Sequence, residues 1–513
     1  MTSKLRQVFL AIFEIVRLSI LILCQAGIRL IRIEEAHTVK TANEHTRIAI
    51  IGGGIAGHGC AYSLNSSNGF DVHLFEERSD FGGNAKTFDW PDGAVTGLSV
   101  LAWPAAYFRN YKALLKALNV STENVSLPFC IRSVNGMYFA HDKAMGLSRR
   151  YGNDIYCWNK MIWLVHCINR FFNGTDEASL YHMSMLNPMN IIPLRILSRL
   201  FFVSDEFWQD VIVPLYASSF LTVHLDGVPA VILPTLNSLI PLTSSPSMES
   251  WVASSRDVFD RMASAKGSAD STLTRHPEHS VFSVYQNPHS RKWSIVTSSG
   301  TYSDFDRVVF ASNAHHATRT LGNGFSRIAR WILAAVTYTD EWDASFITGI
   351  IHSDSTVLPV AHRNELLDNY ANYIESRIEE GQVRYTNTFI LSSWMPSLQH
   401  EKGLYSIGRC TPRLVTYGAQ SPESIQNKCG EVRNIKNHPH LSLVGLLLTM
   451  GLRYIQGERG VYFCGSFATP GNGHDLSLCS GFAVADALGA SYPFSDEADA
   501  KRDYNRLKRI MGL

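Results

Sequence analysis

Nine cysteines in 513 residues, an odd number with no C-x-x-C spacing, give the chain neither a zinc site nor a thiol-redox pair. They read as reduced core residues, since free Cys packs as a small hydrophobe. Charge of one sign is also lacking. Lys plus Arg number 46 and Asp plus Glu 45, so no basic field marks nucleic acid as a partner. There is no G-x-S-x-G elbow, no Walker A loop, no internal repeat and no low-complexity tract. The paired histidines His315–His316 and His438–His440 have no Cys or carboxylate partners in a ligand pattern, so no metal site is expected. What remains is ordinary globular composition, 45% hydrophobic and 18% charged, in a chain long enough for two or three domains.

Long hydrophobic runs are scarce too. From Val8 to Ile33 the chain is mostly apolar, but Glu14, Arg17, Gln25, Arg29 and Arg32 interrupt it. The longest charge-free stretch there, Leu18 to Ile28, is short of the roughly 20 apolar residues a spanning helix needs. At about 100° per residue, the charges from Lys4 to Arg32 fall within an arc of roughly 160°. That pattern predicts a helix lying in the membrane interface through residues 4–33, with a tilted signal anchor as the alternative. A cleaved signal peptide fits less well, because no small-x-small site follows the apolar core. A membrane-associated localisation is expected, with the endoplasmic reticulum a candidate and the side of the membrane open. The sequons at Asn119, Asn124 and Asn173 matter only in a lumenal protein.

Residues 34–46 are polar and read as a linker. An apolar run, Ile48 to Ile51, then suits a buried parallel strand. Helical periodicity follows through Cys60, Ala61 and Leu64, and a second strand spans Val72 to Phe75. Residues 130–255 are rich in aromatics and read as mainly helical. Alternation returns between 279 and 311 as a small meander, followed by a strand rejoining the main sheet. The segment ESRIEEGQVR reads as a solvated charged helix.

Gly52, Gly54 and Gly57 spell G-x-G-x-x-G after the first strand and into the helix. The first glycine permits the tight turn, the second lets the backbone approach a pyrophosphate, and the third lets helix and strand pack closely. The helix N-terminus offers unpaired N–H groups and a positive dipole end to phosphate. Glu76 ends the second strand 24 positions after Gly52, where a carboxylate can accept both ribose hydroxyls and disfavours a 2′-phosphate. This is a dinucleotide site. Two features favour FAD over NAD. One is the paired glycine at Gly83 in FGGNAKTF. The other is the returning segment GVYFCGSFATPGNGHDLSLCSGF, read as a strand from Val461 to Cys464, the close-approach Gly465, a loop, and a helix starting near Leu478.

The stretches IAIIGGGIAG, VHLFEE…FGGNAKTF, AVTGLSVLAWP, DRVVFASNAHHA, IIHSDSTVLP, SSWMPSLQH and RGVYFCGSF…HDLSLCSG occur in order from about residue 47 to 490. With them the chain resembles the flavin-containing amine oxidase superfamily, which also holds phytoene-desaturase-type enzymes. The resemblance implies an α/β fold: a Rossmann-type doubly wound FAD-binding domain with an inserted α+β substrate domain, here led by the membrane-associating helix. The implied FAD segments are 47–130, 256–322 and 437–495, the substrate segments 131–255 and 323–436, and 496–513 a C-terminal helix or tail. Carried over by position, Gly52, Gly54, Ile55, Ala56 and Gly57 would wrap the pyrophosphate and Glu76 would hold the adenosine ribose. Gly83 and Asn84 would approach the ribityl region, Val281 would meet the adenine through its backbone, and Gly465 and Ser466 would close over the ribityl chain. Thr96 to Ser99, including Gly97, would lie near the isoalloxazine ring.

Departures from the superfamily pattern bear on the substrate. Ser466 stands where many amine oxidases carry an acidic residue, and neither the lysine-held water nor the aromatic cage can be placed, which puts an amine substrate in doubt. Cys464 and Cys479 do not match a covalent attachment pattern, so the FAD is expected to be non-covalent. His474 and Asp475, placed before the late helix, are the catalytic candidates, and a helix-capping loop is their alternative. His352 and Asp354 are a second pair of the same kind. Three readings stay open: oxidation or desaturation of a lipophilic small molecule, redox-neutral shifting of double bonds in a polyunsaturated fatty acid or polyene, and a non-catalytic flavoprotein. The oligomeric state is not legible.

Overall fold

The structure, a computed structural model, describes residues 45–513 apart from 140–145, 175–180, 182–183, 185, 221, 243, 246, 323–324, 340–347, 380–381, 402, 405–407, 419–423, 434–437 and 472. The expected membrane-associating helix (1–33) and all of the linker but its last two residues lie outside the described residues. Among the described residues no helix is long and apolar enough to cross a membrane.

The chain divides into two compact units. One takes the described part of Met1–Phe81 with Met262–Thr337 and Val444–Leu513; the other takes Gly82–Arg261 and Tyr338–Leu443. The sequence placed the first boundary at 130, but strand Phe129–Ser133 pairs with Asn372–Glu379 inside the second unit. Sequence proximity to the phosphate motif concealed that pairing.

The first unit is built on a five-stranded sheet, all parallel. Its strands are β1 (Thr46–Ile51), β2 (Phe70–Phe75), β3 (Ser271–His276), β7 (Arg307–Phe310) and β8 (Val461–Phe463), in the order β8–β7–β1–β2–β3. The intervening strands β4 (Val281–Gln286), β5 (Trp293–Thr297) and β6 (Gly300–Phe305) form the expected antiparallel meander. Ile48, Ile50, Val72, Leu74 and Val309 are fully buried, as a parallel sheet covered on both faces requires. Four helices matter here: α1 (Ile55–Asn65), α2 (Ala314–Leu321), α3 (His474–Ala487) and α4 (Ala498–Met511). Helices α1 and α3 pack backbone to backbone. A Cβ on Gly481 would lie 2.2 Å from the Ala56 carbonyl, and one on Gly59 would lie 2.7 Å from Leu478 Cδ1.

The second unit centres on a seven-stranded sheet in the order Lys428–Arg433, Thr348–His352, Leu414–Tyr417, Gln382–Ile390, Asn372–Glu379, Phe129–Ser133, Gly136–Phe139. Only the pairing of Asn372–Glu379 with Phe129–Ser133 is parallel. Helices Gly146–Asn173, Leu194–Leu200, Val213–Phe220 and Leu233–Leu239 supply the aromatic-rich middle of the chain. Trp90, Leu391, Trp394, Leu398 and Val415 form one of its cores.

The segment expected as a charged helix, ESRIEEGQVR, is instead parts of two antiparallel strands paired from Asn372↔Phe389 to Glu379↔Gln382. Its charges mislead because they are met within the sheet: Glu375 is buried and takes Arg377 at 2.6 Å and Arg132 at 3.8 Å. The eight described cysteines are all free, and no group of metal-ligating side chains occurs among the described residues.

Candidate functional site

The site begins where β1 ends. Gly52 takes φ +114°, a backbone region that L side chains rarely adopt, and its N–H donates to the Phe75 carbonyl at 2.8 Å. A Cβ there would meet the Ala311 backbone at 2.8 Å. At Gly57 a Cβ would stand 2.0 Å from the Gly52 carbonyl oxygen, so only glycine lets α1 approach the end of β1 this closely. Gly54 is the N-cap, extended at φ −79°, with no side-chain cap and no acidic residue in the first turn of α1. The first-turn N–H groups of Ile55, Ala56 and Gly57 are thereby left for an anion, which the helix dipole also favours.

Glu76 directly follows β2 and is buried. Its Oε2 accepts the Gly53 N–H at 2.7 Å and its Oε1 accepts the Arg78 N–H at 3.2 Å. Arg78 Nε also stands 3.5 Å from Oε1, while Oε2 keeps an acceptor position suited to a ribose hydroxyl. Phe81 closes the same corner: a Cβ on Gly53 would lie 2.6 Å from Phe81 Cδ1. His58 stands edge-on to Phe81 at 5.3 Å, and burial pulls its imidazole down to about 4 despite its bond to the Gly54 carbonyl. His58 therefore adds no titrating charge near pH 7.

Val281 opens β4, and its carbonyl accepts from His316 Nε2 at 2.9 Å. The other ring nitrogen of His316 faces Ser312 Oγ at 3.0 Å, and its backbone N–H donates to the Asn313 cap of α2 at 2.7 Å. Burial lowers the His316 pKa, opposed by the Val281 bond. Sequence reasoning assigned His316 a structural part but did not find this tie between α2 and the expected adenine-facing strand. An N-cap Asn three residues before a histidine is the signal that was available.

The late segment returns to the same unit. Cys464 N–H donates to Phe310 O at 3.0 Å, which brings β8 beside β7. Gly465 follows at φ +111°, and its N–H donates to Ser480 Oγ at 2.8 Å on α3. Ser466 begins a short 3-10 turn. Helix α3 starts at His474 under a Gly473 cap, four residues before the expected Leu478, so His474 and Asp475 occupy its first turn rather than a preceding loop. The glycines flanking this turn hid the start. Asp475 is buried, and burial takes the His474 imidazole down to about 3, so it is neutral at physiological pH. Burial also pushes the Cys60 and Cys464 thiols up, which keeps them protonated.

Eleven of the sequence candidates thus share the first unit: Gly52, Gly54, Ile55, Ala56, Gly57, Glu76, Val281, Gly465, Ser466, His474 and Asp475. Gly83, Asn84 and Gly97 belong to the second. There Gly83 takes φ +62°, the Asn84 carbonyl accepts from Ser99 Oγ, and a Cβ on Gly97 would touch Trp251 at 3.3 Å. His352 is fully buried in the second unit's sheet. Its Nδ1 accepts the Asp354 N–H at 3.1 Å, so its Nε2–H donates to Thr416 at 2.9 Å, and both nitrogens are used structurally.

The glycine cradle, the uncapped helix and the buried carboxylate suit an adenosine diphosphate. The Gly465 turn and α3, packed on α1, add a second wall that an NAD half-site does not require. The residues present therefore fit FAD. Residues 50–118 match the family described as NAD(P)-binding Rossmann-like domain. No curated protein matches the chain. Among solved structures, putrescine oxidase bound to putrescine superposes with a TM-score of 0.61 at 13% identity, covering 86% of this chain and 99% of that one. A CLA-producing fatty acid isomerase from P. acnes gives 0.59 at 13% identity, covering 87% and 99%. Cyclohexylamine oxidase from Brevibacterium oxydans gives 0.57 at 11% identity, covering 86% and 99%. At these identities the likeness is one of fold. The chain shares its fold with these two oxidases and the isomerase and carries a Rossmann-like dinucleotide domain.

Proposed function

We propose that the protein is an FAD-dependent oxidoreductase that binds its cofactor non-covalently and oxidises or desaturates a lipophilic small molecule. The observation that carries the cofactor is the meeting, in one unit, of the Gly52–Gly57 cradle, the Glu76 carboxylate and the Gly465 turn. Bound FAD would supply a hydride acceptor at flavin N5. The chain's own part is to hold and orient it. The first-turn N–H groups of α1 would take the diphosphate, and Glu76 would accept the ribose hydroxyls. The Ser480-anchored turn at Gly465 would pass close to the ribityl chain. Neutral His474 and buried Asp475 would shape the first turn of α3. Non-covalent binding is supported by Cys464, whose burial favours the protonated thiol over a nucleophilic thiolate, and by the full burial of Cys479.

Support for a lipophilic substrate is the aromatic second unit, together with the membrane-seeking pattern of residues 4–33, which would bring the protein to a membrane surface. A second reading, redox-neutral movement of double bonds, draws on the fold shared with a fatty acid isomerase. Anaerobic mixing of the purified protein with fatty acids, polyenes and amines separates the readings. Lasting bleaching of the flavin band with a dehydrogenated product supports oxidation. Transient bleaching with an isomeric product supports the second reading. Bleaching by amines alone would overturn the lipophilic assignment.

A further inference from the structure

We infer that one face of the second unit's sheet binds an uncharged amphiphile through its hydroxyl groups. The inference deepens the proposed function and rests on its reading that the aromatic second unit takes the substrate. Strands Asn372–Glu379 and Gln382–Ile390 pair as Asn372↔Phe389, Ile374↔Asn387 and Ser376↔Tyr385, and Asn387 pairs onward with Tyr417. Alternation therefore puts Asn372, Ser376 and Asn387 on one face, with Phe389, Tyr417, Val415 and Ile351. The Phe389 and Tyr417 rings meet edge to face at 5.8 Å on that side. Asn387 lies diagonally between Asn372 and Ser376, about 7 Å from each.

Asn372, Ser376 and Asn387 are buried, at 3%, 4% and 2% exposure. Yet Asn372 Oδ1, Ser376 Oγ and Asn387 Oδ1 have no hydrogen-bond partner among the described residues. Trp394, in the apolar core on the same face, leaves its Nε1–H equally unmet. The opposite face of the same strands behaves differently: Thr388 bonds Thr416 at 2.9 Å, and Thr416 bonds His352 at 2.9 Å. A buried polar group without a partner loses more than a made hydrogen bond gains, so four on one face call for a ligand that meets them. Phe389, Phe88 and Val223 of the same core are only partly buried, so the face is not sealed.

The chemistry of the face selects the head group. On these two strands Glu375, Arg377, Glu379 and Arg384 all fall on the other side by the same alternation. Charges that border the unmet face are already matched. Arg413, over the Trp90 ring, is held by Glu401 and Asp92, and Asp210 accepts from Ser133, Asn135 and Tyr151. A carboxylate or an ammonium would therefore be buried here without a counter-charge. The unmet oxygens need a donor, and the Trp394 N–H needs an acceptor. A hydroxyl is both, whereas a carboxylate only accepts and an ammonium only donates. Two neighbouring hydroxyls suit the diagonal pair Asn372 and Asn387, with an apolar chain against Phe389 and Tyr417.

Calorimetric titration of the full-length protein tests this without turnover. The decyl ether of glycerol should bind at least about tenfold more tightly than decanoate or decylamine, which carry a like chain on a charged head. Asn387→Leu should weaken binding of the ether about tenfold, the worth of one hydrogen bond, and Asn372→Leu likewise. The Tm of each ligand-free variant should hold or rise, because a buried unmet acceptor has been removed. No binding of the ether, or equal binding of either charged amphiphile, would overturn the inference. So would leucine variants that bind the ether normally, and a lowered Tm in them would make water the occupant. The flavin assignment fails separately, since heat and not oxidation is read. A colourless protein that binds the ether loses the oxidoreductase reading and keeps this site.

Discussion

Replacing Gly57 by alanine tests the cradle where the geometry leaves least room. The new Cβ would sit 2.0 Å from the Gly52 carbonyl oxygen, about 1.4 Å short of ordinary van der Waals contact. Gly52 has little room to retreat, because the Ala311 backbone lies where even a Cβ on Gly52 would meet it at 2.8 Å, and its N–H is held by the Phe75 carbonyl at 2.8 Å. Helix α1 must therefore move, against α3, whose Gly481 is already packed on the Ala56 carbonyl. Overpacking of this kind costs about 1–3 kcal/mol, a fall in Tm of roughly 2–12 °C. The helix shift also misplaces the first-turn N–H groups. Losing two charge-assisted bonds at about 1.5 kcal/mol each weakens cofactor binding at least about 100-fold. Thermal melts measure the first effect, and flavin-to-protein absorbance ratios with fluorescence titration of FAD measure the second. Gly152→Ala, on an exposed helix position with nothing within 4 Å, is the control and should leave the flavin content unchanged. A Gly57→Ala protein that keeps stoichiometric flavin and an unchanged Tm would refute the reasoning.

Further outcomes follow from the same structure. Glu76→Ala should destabilise by about 1–3 kcal/mol, because the buried Gly53 N–H loses its acceptor, and should weaken FAD binding more than Glu76→Gln; melts and flavin titrations check both. Burial holds His352 at about 4, against about 6.5 when unfolded, so between those values the unfolded chain binds more protons. Stability is thus retained above pH 6.5 and lost toward pH 4, with His352 alone contributing up to about 3 kcal/mol. His58 and His438, also near 4, act in the same direction, and a Tm series from pH 7.5 down should show the fall, with a shallower slope in His352→Asn. Arg413 bridges Glu401 at 2.6 Å and Asp92 at 2.6 Å in the second unit. Arg413→Met, which strands buried Glu401, should cost about 3–5 kcal/mol in denaturant unfolding, and adding Glu401→Leu should restore most of it.

Local rules made the first unit readable. The β1–α1–β2 sequence, its three glycines and Glu76 each answer to one short-range constraint, and the meander announced itself by alternation. Strand β3 was missed because Ser271–His276 lies at the sheet edge, where its alternating polar residues resemble a loop. The second unit was harder. The pairing of Phe129–Ser133 with Asn372–Glu379 joins segments some 240 positions apart, and no local pattern encodes such a partner. Glu375 shows the consequence: its charge suggests solvent, while Arg132 and Arg377 let it be buried in a strand. In the candidate site, what the sequence made legible was the backbone geometry that requires glycine, at Gly52, Gly57 and Gly465. The ties of His316 to Val281 and of Ser480 to Gly465 come from tertiary packing and could be read only once α2 and α3 were placed.

The claim on which the account rests is that the first unit holds FAD without a covalent bond. An absorbance spectrum of the purified full-length protein, before and after acid or heat release, tests it most directly. Flavin bands that move wholly into the supernatant, where the released species is identified as FAD, are the predicted result. A folded protein that is colourless and takes up no added FAD, or one whose flavin stays with the precipitate, would contradict it.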